Sequence, residues 1–318
     1  MKAMSFLKRL PIFLIGAFSI VLITGCSKIP VYQLSTQAGS YFEHPSALGE
    51  SWESYGDGLY GFQYKLDRSL IIETDKSIIV VESFNGKMAN RLMQILSNKF
   101  PNKPVSHLFY SHHHLDHTRG GFELDPVEVW AHSNTQRHFT VHNADADVLM
   151  PTHFLSGTQE IIINNRGFEL VEFAHGHGEY LFGFYFPEEK LFYGPDLALC
   201  KTFFPYGFPD FNHHGHVEAM KKALELDFDT FISSHFQNGN KSCIEQNIAL
   251  FEDARQAVEE GYSLFGEPAE GDDNAKWFRN VVFHTQEALE PKYSDWHGYN
   301  EMSLPFVLRQ MSGAYLGF

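Results

Sequence analysis

Tyr110-Ser111-His112-His113-His114-Leu115-Asp116-His117 is the stretch from which the rest of this chain is read, with four histidines and one aspartate in the six positions from 112 to 117. A neutral imidazole nitrogen and a carboxylate oxygen are the donor pair that borderline divalent cations such as zinc accept, so this density calls for a metal. The preceding run, Val105 to Tyr110, has the apolar content of a buried strand. The polar cluster then lies on the loop leaving the carboxyl end of that strand, where α/β proteins put their sites. In an extended loop His112 and His114 project to one side, and a turn through Asp116 and His117 aims those two at a second point close by. A solvent-facing histidine tract has no need of the ordering His-x-His-x-Asp-His.

That ordering resembles the signature of the metallo-β-lactamase superfamily, a group of hydrolases and some oxidoreductases. The resemblance covers roughly Leu59 to Gly261 and implies an α/β fold, a four-layer αββα sandwich, with further ligands downstream. The family's third ligand motif is a strand followed by Gly-His and a small residue. His175 and His177 compete for it, and His177 fits better because Gly176 and Gly178 flank it. Asp196 follows His177 by nineteen residues, similar to the family's separation between its third histidine and a bridging aspartate. His235, after the strand Asp229 to Ser233, resembles the final ligand of dinuclear members, though its flanks depart from the frequent Pro-Gly-His-Gly form. By this resemblance His112, His114 and His177 hold one metal, Asp116, His117 and His235 the other, and Asp196 bridges them. It implies two zinc ions per chain, with iron or manganese as alternatives, sharing a hydroxide nucleophile that Asp116 orients. One position departs from the pattern: Glu82 stands where family members often carry an aspartate, one methylene shorter.

The reaction expected from the resemblance is hydrolysis of a small ester-like substrate, namely an ester, lactone or thioester, with an apolar part. Family β-lactamases generally lack the bridging aspartate, so Asp196 counts against β-lactam hydrolysis. A mononuclear-iron sulfur dioxygenase is a second class, against which His117 and His235 argue. A non-catalytic envelope lipoprotein is a third, and keeping seven costly polar groups together argues against it.

Composition narrows the field from another side. The chain of 318 residues is 43% hydrophobic and 20% charged, ordinary for a folded protein, with a net charge of −15. A phosphate-binding surface needs clustered Lys and Arg, so nucleic acid is excluded as a partner.

Lys2, Lys8 and Arg9 precede an apolar run, Ile12 to Ile23, which is short for a membrane span, and Ile23-Thr24-Gly25-Cys26 follows. The small residues before Cys26 resemble a bacterial lipobox. Residues 1–25 are then expected to be a lipoprotein signal, with Cys26 lipidated and the protein anchored in the cell envelope, at the periplasmic face of the outer membrane. Only Cys200 and Cys243 remain beyond it, either paired or as two free thiols.

Along the chain, 26–54 reads as a linker, 55–261 as the metallo-β-lactamase-like domain and 262–318 as a C-terminal helical extension that covers the site or meets a second subunit. Strands are expected at Leu59 to Leu66, Ser69 to Thr74 and Ser77 to Glu82, then a helix from Gly86. Ser133 is the expected N-cap of a later helix. The run from Ala198 to Asn212, with Phe203, Phe204, Tyr206, Phe208 and Phe211 between prolines and a glycine, cannot be helical. It is read either as an aromatic wall for the substrate, formed by Phe204, Tyr206 and Phe208, or as a buried connector. His213, His214 and His216 are expected at a solvent-facing helix start.

Overall fold

The computed structural model describes residues 40–43, 49–142, 147–205, 210, 212–266, 268 and 273–317. Strands β1 (Glu50–Gly56), β2 (Leu59–Tyr64), β3 (Asp67–Glu73), β4 (Ile78–Val81), β5 (Val105–Phe109), β6 (Glu128–His132) and β7 (His153–Leu155) form a seven-stranded sheet in sequence order. Pairing is antiparallel from β1 to β4 and parallel from β4 to β7. A second, five-stranded sheet holds β8 (Gln159–Ile163), β9 (Arg166–Ala174), β10 (Tyr180–Phe186), β11 (Leu191–Tyr193) and β12 (Thr230–Ile232).

Side-chain alternation explains how the sheets stack. On β3 and β4, Leu70, Ile72, Ile79 and Val81 face inward against Phe168, Phe182, Phe184 and Phe186 of the second sheet. Their neighbours Ile71, Ile78 and Val80 face the other way, onto Met88, Leu92 and Leu96 of helix α1 (Gly86–Lys99). The outer face of the second sheet, through Val171, Phe173 and Phe192, meets helices α4 (His213–Leu224) and α5 (Lys241–Phe265). Helix, sheet, sheet and helix follow in that order, the four-layer α/β sandwich expected from sequence. Helices α6 (Asn274–Tyr293) and α7 (Tyr299–Leu316) pack on α5 and extend its core through Val281, Leu289, Phe306 and Val307. Among the described residues no helix is long and apolar enough to cross a membrane.

Three local expectations are corrected. Residues 50–54, read as the end of a linker, lie in β1, whose sequence Glu-Ser-Trp-Glu-Ser-Tyr-Gly is too polar to announce a strand; pairing with β2 forms it. Ser133 begins a 3-10 turn, and the cap is His132, whose Nδ1 accepts from the Asn134 amide at 3.1 Å. Helix α3 (Gln136–His142) follows. His213 and His216 are buried rather than solvent-facing, and only His214 is exposed. Cys200 and Cys243 are joined in a disulfide, which ties the segment after Asp196 to the start of α5.

Candidate metal centre

Loops at the carboxyl ends of β4, β5, β9, β11 and β12 meet at one end of the sandwich. After β5 the chain bends at Ser111 and His112, is extended at His114, and then closes a single helical turn, α2 (Leu115–Thr118). The turn presents Asp116 and His117 on a path different from the first pair. Amides of Ser83 and Phe84 donate to the His117 carbonyl at 3.3 and 3.2 Å, fastening the turn to the end of β4.

Four histidines surround the carboxylate of Asp196. Its Oδ2 stands 2.9 Å from Nε2 of His117, 3.2 Å from Nε2 of His177 and 3.6 Å from Nε2 of His112. Its Oδ1 stands 3.3 Å from Nε2 of His235. Nδ1 of His114 lies 3.0 Å from Nε2 of His177, and Nε2 of His117 lies 3.1 Å from Nε2 of His235 and 3.6 Å from Oδ2 of Asp116. The donors group as His112, His114, His177 and Asp196 in one set and Asp116, His117 and His235 in another, while Glu82 with His112 and His117, and His113 with His114 and Asp210, also stand close enough to share a cation. His175, the competing third histidine, is exposed at left-handed φ and belongs to neither set.

The second layer of contacts is built from residues far apart in sequence. Glu82, at φ 66°, accepts hydrogen bonds from Ser111 and from Tyr193 and lies 2.9 Å from Nδ1 of His117. Asp196, also left-handed at φ 52°, accepts from the Ser234 hydroxyl at 2.9 Å. Strained backbone of this kind persists where surrounding contacts over-determine it. Asp67 Oδ1 is 3.1 Å from Nδ1 of His235. Arg68, almost wholly buried, donates to the carbonyls of Ser233 and Phe236 at 2.9 and 3.1 Å and so fixes the loop that carries His235. Phe84 covers His117 and His235, with ring centroids 5.0 and 5.6 Å away. Gly215 lets α4 approach the His177 loop, since a side chain there would collide with the His175 carbonyl.

A model of the metallo-β-lactamase superfamily matches residues 68–235, more than half of the chain and nearly the whole of this constellation. The chain belongs to the metallo-β-lactamase superfamily. It is 30% identical over 189 residues to the α subunit of a 2,4-dinitroanisole O-demethylase from Nocardioides sp. (strain JS1661), a match covering 58% of this chain and 57% of that protein. The chain thus spans less than two thirds of that relative. A metallo-β-lactamase of Pontibacter korlensis superposes with a TM-score of 0.56 at 15% identity, over 64% of this chain and 99% of that one. A Pseudomonas aeruginosa metallo-β-lactamase in its mono-zinc form gives a TM-score of 0.55 at 16% identity, over 66% and 98%.

In this metallo-β-lactamase-fold enzyme the donor chemistry fits a cation. Ser111 gives its one proton to Glu82, so Nδ1 of His112, 2.8 Å from the same hydroxyl, carries the proton that it donates. Nε2 of His112 is therefore the lone-pair nitrogen, and it is buried with no hydrogen-bond partner. Burial first, then the charges of His117, His114 and His177, hold this imidazole neutral, well below its usual pKa. Burial also lowers His117, but Asp196, Glu82 and Asp116 outweigh it and raise that pKa well above the usual range. A field that attracts a proton this strongly attracts a metal cation too. Asp196 stays ionised because His117 and His235 overcome its desolvation.

Phe204, expected in a substrate wall, is fully buried in the outer core, edge-on to His216 and Phe251. At this position the run is a buried connector. Tyr206 and Phe208 lie outside the described residues, as does Cys26. Sequence reasoning passed over Asp67, Arg68, Ser111 and Asp210. Asp67, Arg68 and Asp210 act across long sequence separations and sit in no motif that would have singled them out, whereas Ser111 lies inside the histidine stretch and only its contact with Glu82 is distant.

Proposed function

We propose that this chain is a dinuclear zinc hydrolase in which His112, His114 and His177 hold one ion and Asp116, His117 and His235 the other, with Asp196 between them. The observation that carries this reading is Asp196 itself, whose carboxylate meets histidines of both sets: Oδ2 faces His112 and His177 of the first and His117 of the second, and Oδ1 faces His235 of the second. Cations held there supply Lewis acidity, lowering the pKa of a coordinated water from 15.7 to about 7.

The protein's own part is to orient and to move protons. Asp116 has a side chain 68% exposed, so it is the acid of the site that solvent and substrate can reach. It is suited to orient the attacking water and take its proton. Water adds to the carbonyl carbon of an ester, lactone or thioester, the bond to the leaving oxygen or sulfur breaks, and an acid and an alcohol or thiol are released. A second reading, attack of water on an activated aryl methyl ether to give a phenol and methanol, draws on the 30% identity to the O-demethylase subunit.

The test is elemental analysis of protein that begins after Cys26 and is purified without a metal-affinity tag, beside His114→Ala. The expected result is about two zinc ions per wild-type chain and a loss in the variant. A single iron would favour an oxygenase instead, and absence of metal from both would overturn the proposal. A panel of ester, lactone, thioester, β-lactam and aryl methyl ether substrates then separates the reactions.

Export as a lipid-anchored envelope protein is part of the same proposal. The Cys200–Cys243 disulfide supports it, because such bonds persist in oxidising compartments. Cys26→Ser is expected to move the protein from the detergent phase to the aqueous phase.

A further inference from the structure

His114 is engaged at both ring nitrogens. Nδ1 lies 3.0 Å from Nε2 of His177, on the ligand side, and Nε2 lies 2.6 Å from Oδ2 of Asp210. An imidazole binds a cation through an unprotonated nitrogen, so the ring proton must stand on the other one. An ionised carboxylate only accepts, so contact with Asp210 requires the proton on Nε2 and leaves the lone pair on Nδ1.

Residues just after Asp210 are tied to the His177 loop and to the C-terminal helix α7. Two residues on, the Asn212 amide donates to the Gly176 carbonyl at 3.0 Å, and the Asn212 side chain caps α4. His213, the first residue of α4, is buried with Nδ1 2.6 Å from Oε1 of Gln310 on α7. The guanidinium of the adjacent Arg309 is close enough to interact with the charge of Asp210.

From these contacts we propose that Asp210 is a positioning residue for the metal centre. It fixes the tautomer in which Nδ1 of His114 faces the metal, and α7 braces it through the Gln310–His213 hydrogen bond. This assignment rests on the metal-centre reading above, and it gives the helices after α5 a role in the site that packing alone would not.

The experiment compares wild type with Asp210→Ala, Asp210→Asn and Gln310→Ala, each checked for thermal unfolding. The Asp210 side chain is 43% exposed, so its removal opens no buried cavity. Zinc dissociation is measured by competition with a chromophoric chelator, and the His114 tautomer is read from ring-nitrogen spectra of the metal-free protein. Asp210→Ala is expected to weaken zinc binding roughly 10- to 100-fold and to shift His114 away from the Nε2–H form. Asp210→Asn, whose amide oxygen still accepts that proton, should recover most of both effects. Gln310→Ala should act in the same direction, by less. If wild type binds zinc while Asp210→Ala keeps the same affinity and tautomer, the assignment falls and the metal-centre reading stands. Equal losses in the two Asp210 variants would overturn tautomer control, and a wild type that binds no zinc would overturn both.

Discussion

Glu82 Oε1 stands 2.9 Å from Nδ1 of His117, and neither side chain has any exposure to solvent. Through Ser111, whose hydroxyl is 2.8 Å from Nδ1 of His112, the same acid reaches a histidine of the other donor set. One carboxylate thus sets the ring orientation of a ligand in each set, with Tyr193 holding its second oxygen at 2.7 Å. Glu82→Gln removes the negative charge beside His117 and turns one of two accepting oxygens into a donor, which must then face either Tyr193 or the His117–Ser111 pair; it is expected to weaken metal binding roughly 10- to 100-fold. Glu82→Asp retains the charge but not the reach, and should fall between Gln and wild type. Chelator competition measures both.

Asp116 is the exposed acid of the centre, so Asp116→Asn separates proton handling from assembly of the first donor set. Turnover should fall by roughly 10²–10⁴ while His112, His114 and His177 retain their ion. Kinetics and elemental analysis on one preparation check this.

Burial lowers the pKa of His213 to about 4, against the raising effect of its hydrogen bond to Gln310. The unfolded chain takes up a proton near pH 6.5 that the folded chain refuses until about pH 4, so stability falls as pH drops through that window. The slope is about 1.4 kcal/mol per pH unit for this one group, and it is absent above pH 6.5 or below 4. His213→Gln, which does not titrate, should flatten the fall in unfolding free energy between pH 6.5 and 4 by about that slope. Denaturant titrations across the window measure it.

The Cys200–Cys243 disulfide closes a loop with a sequence separation of 43, worth about 4 kcal/mol in the chain-entropy account. Reductant, or Cys200→Ser with Cys243→Ser, should lower the melting temperature clearly. Zinc binding should weaken less, because Asp196 is held separately by Ser234. Calorimetry with and without reductant checks the first part.

Phe204 fills core space against Phe251 and His216. Phe204→Ala is expected to cost about 3–5 kcal/mol of stability. KM measured well below the melting temperature should stay near wild type.

Much of this architecture could be read from the chain because its signals are local. The uninterrupted apolar runs Leu70-Ile71-Ile72 and Ile78-Ile79-Val80-Val81 give strands, and the histidine cluster sits directly after another, Val105–Phe109. The structure brings His177 and Asp196 to that cluster, at the spacing that suggested them. Illegible were features that depend on partners distant in sequence. β1 is a strand only because β2 lies beside it. His213 and Phe204 are buried only because α5 and α7 cover them. Asp67 and Asp210 matter only because the fold sets them beside His235 and His114.

The clamp between Asp67–Arg68 and the His235 loop joins positions 168 residues apart. Closing a loop of that length costs about 4.5 kcal/mol of chain entropy before any contact repays it. Such long-range pairings make for slow folding. A nascent chain that has emerged only as far as Asp196 has the first donor set but lacks the residue that completes the second. A cation bound by Asp116, His117 and His235 would therefore load only as the whole domain closes, and its binding would report that the two ends of the fold have found each other.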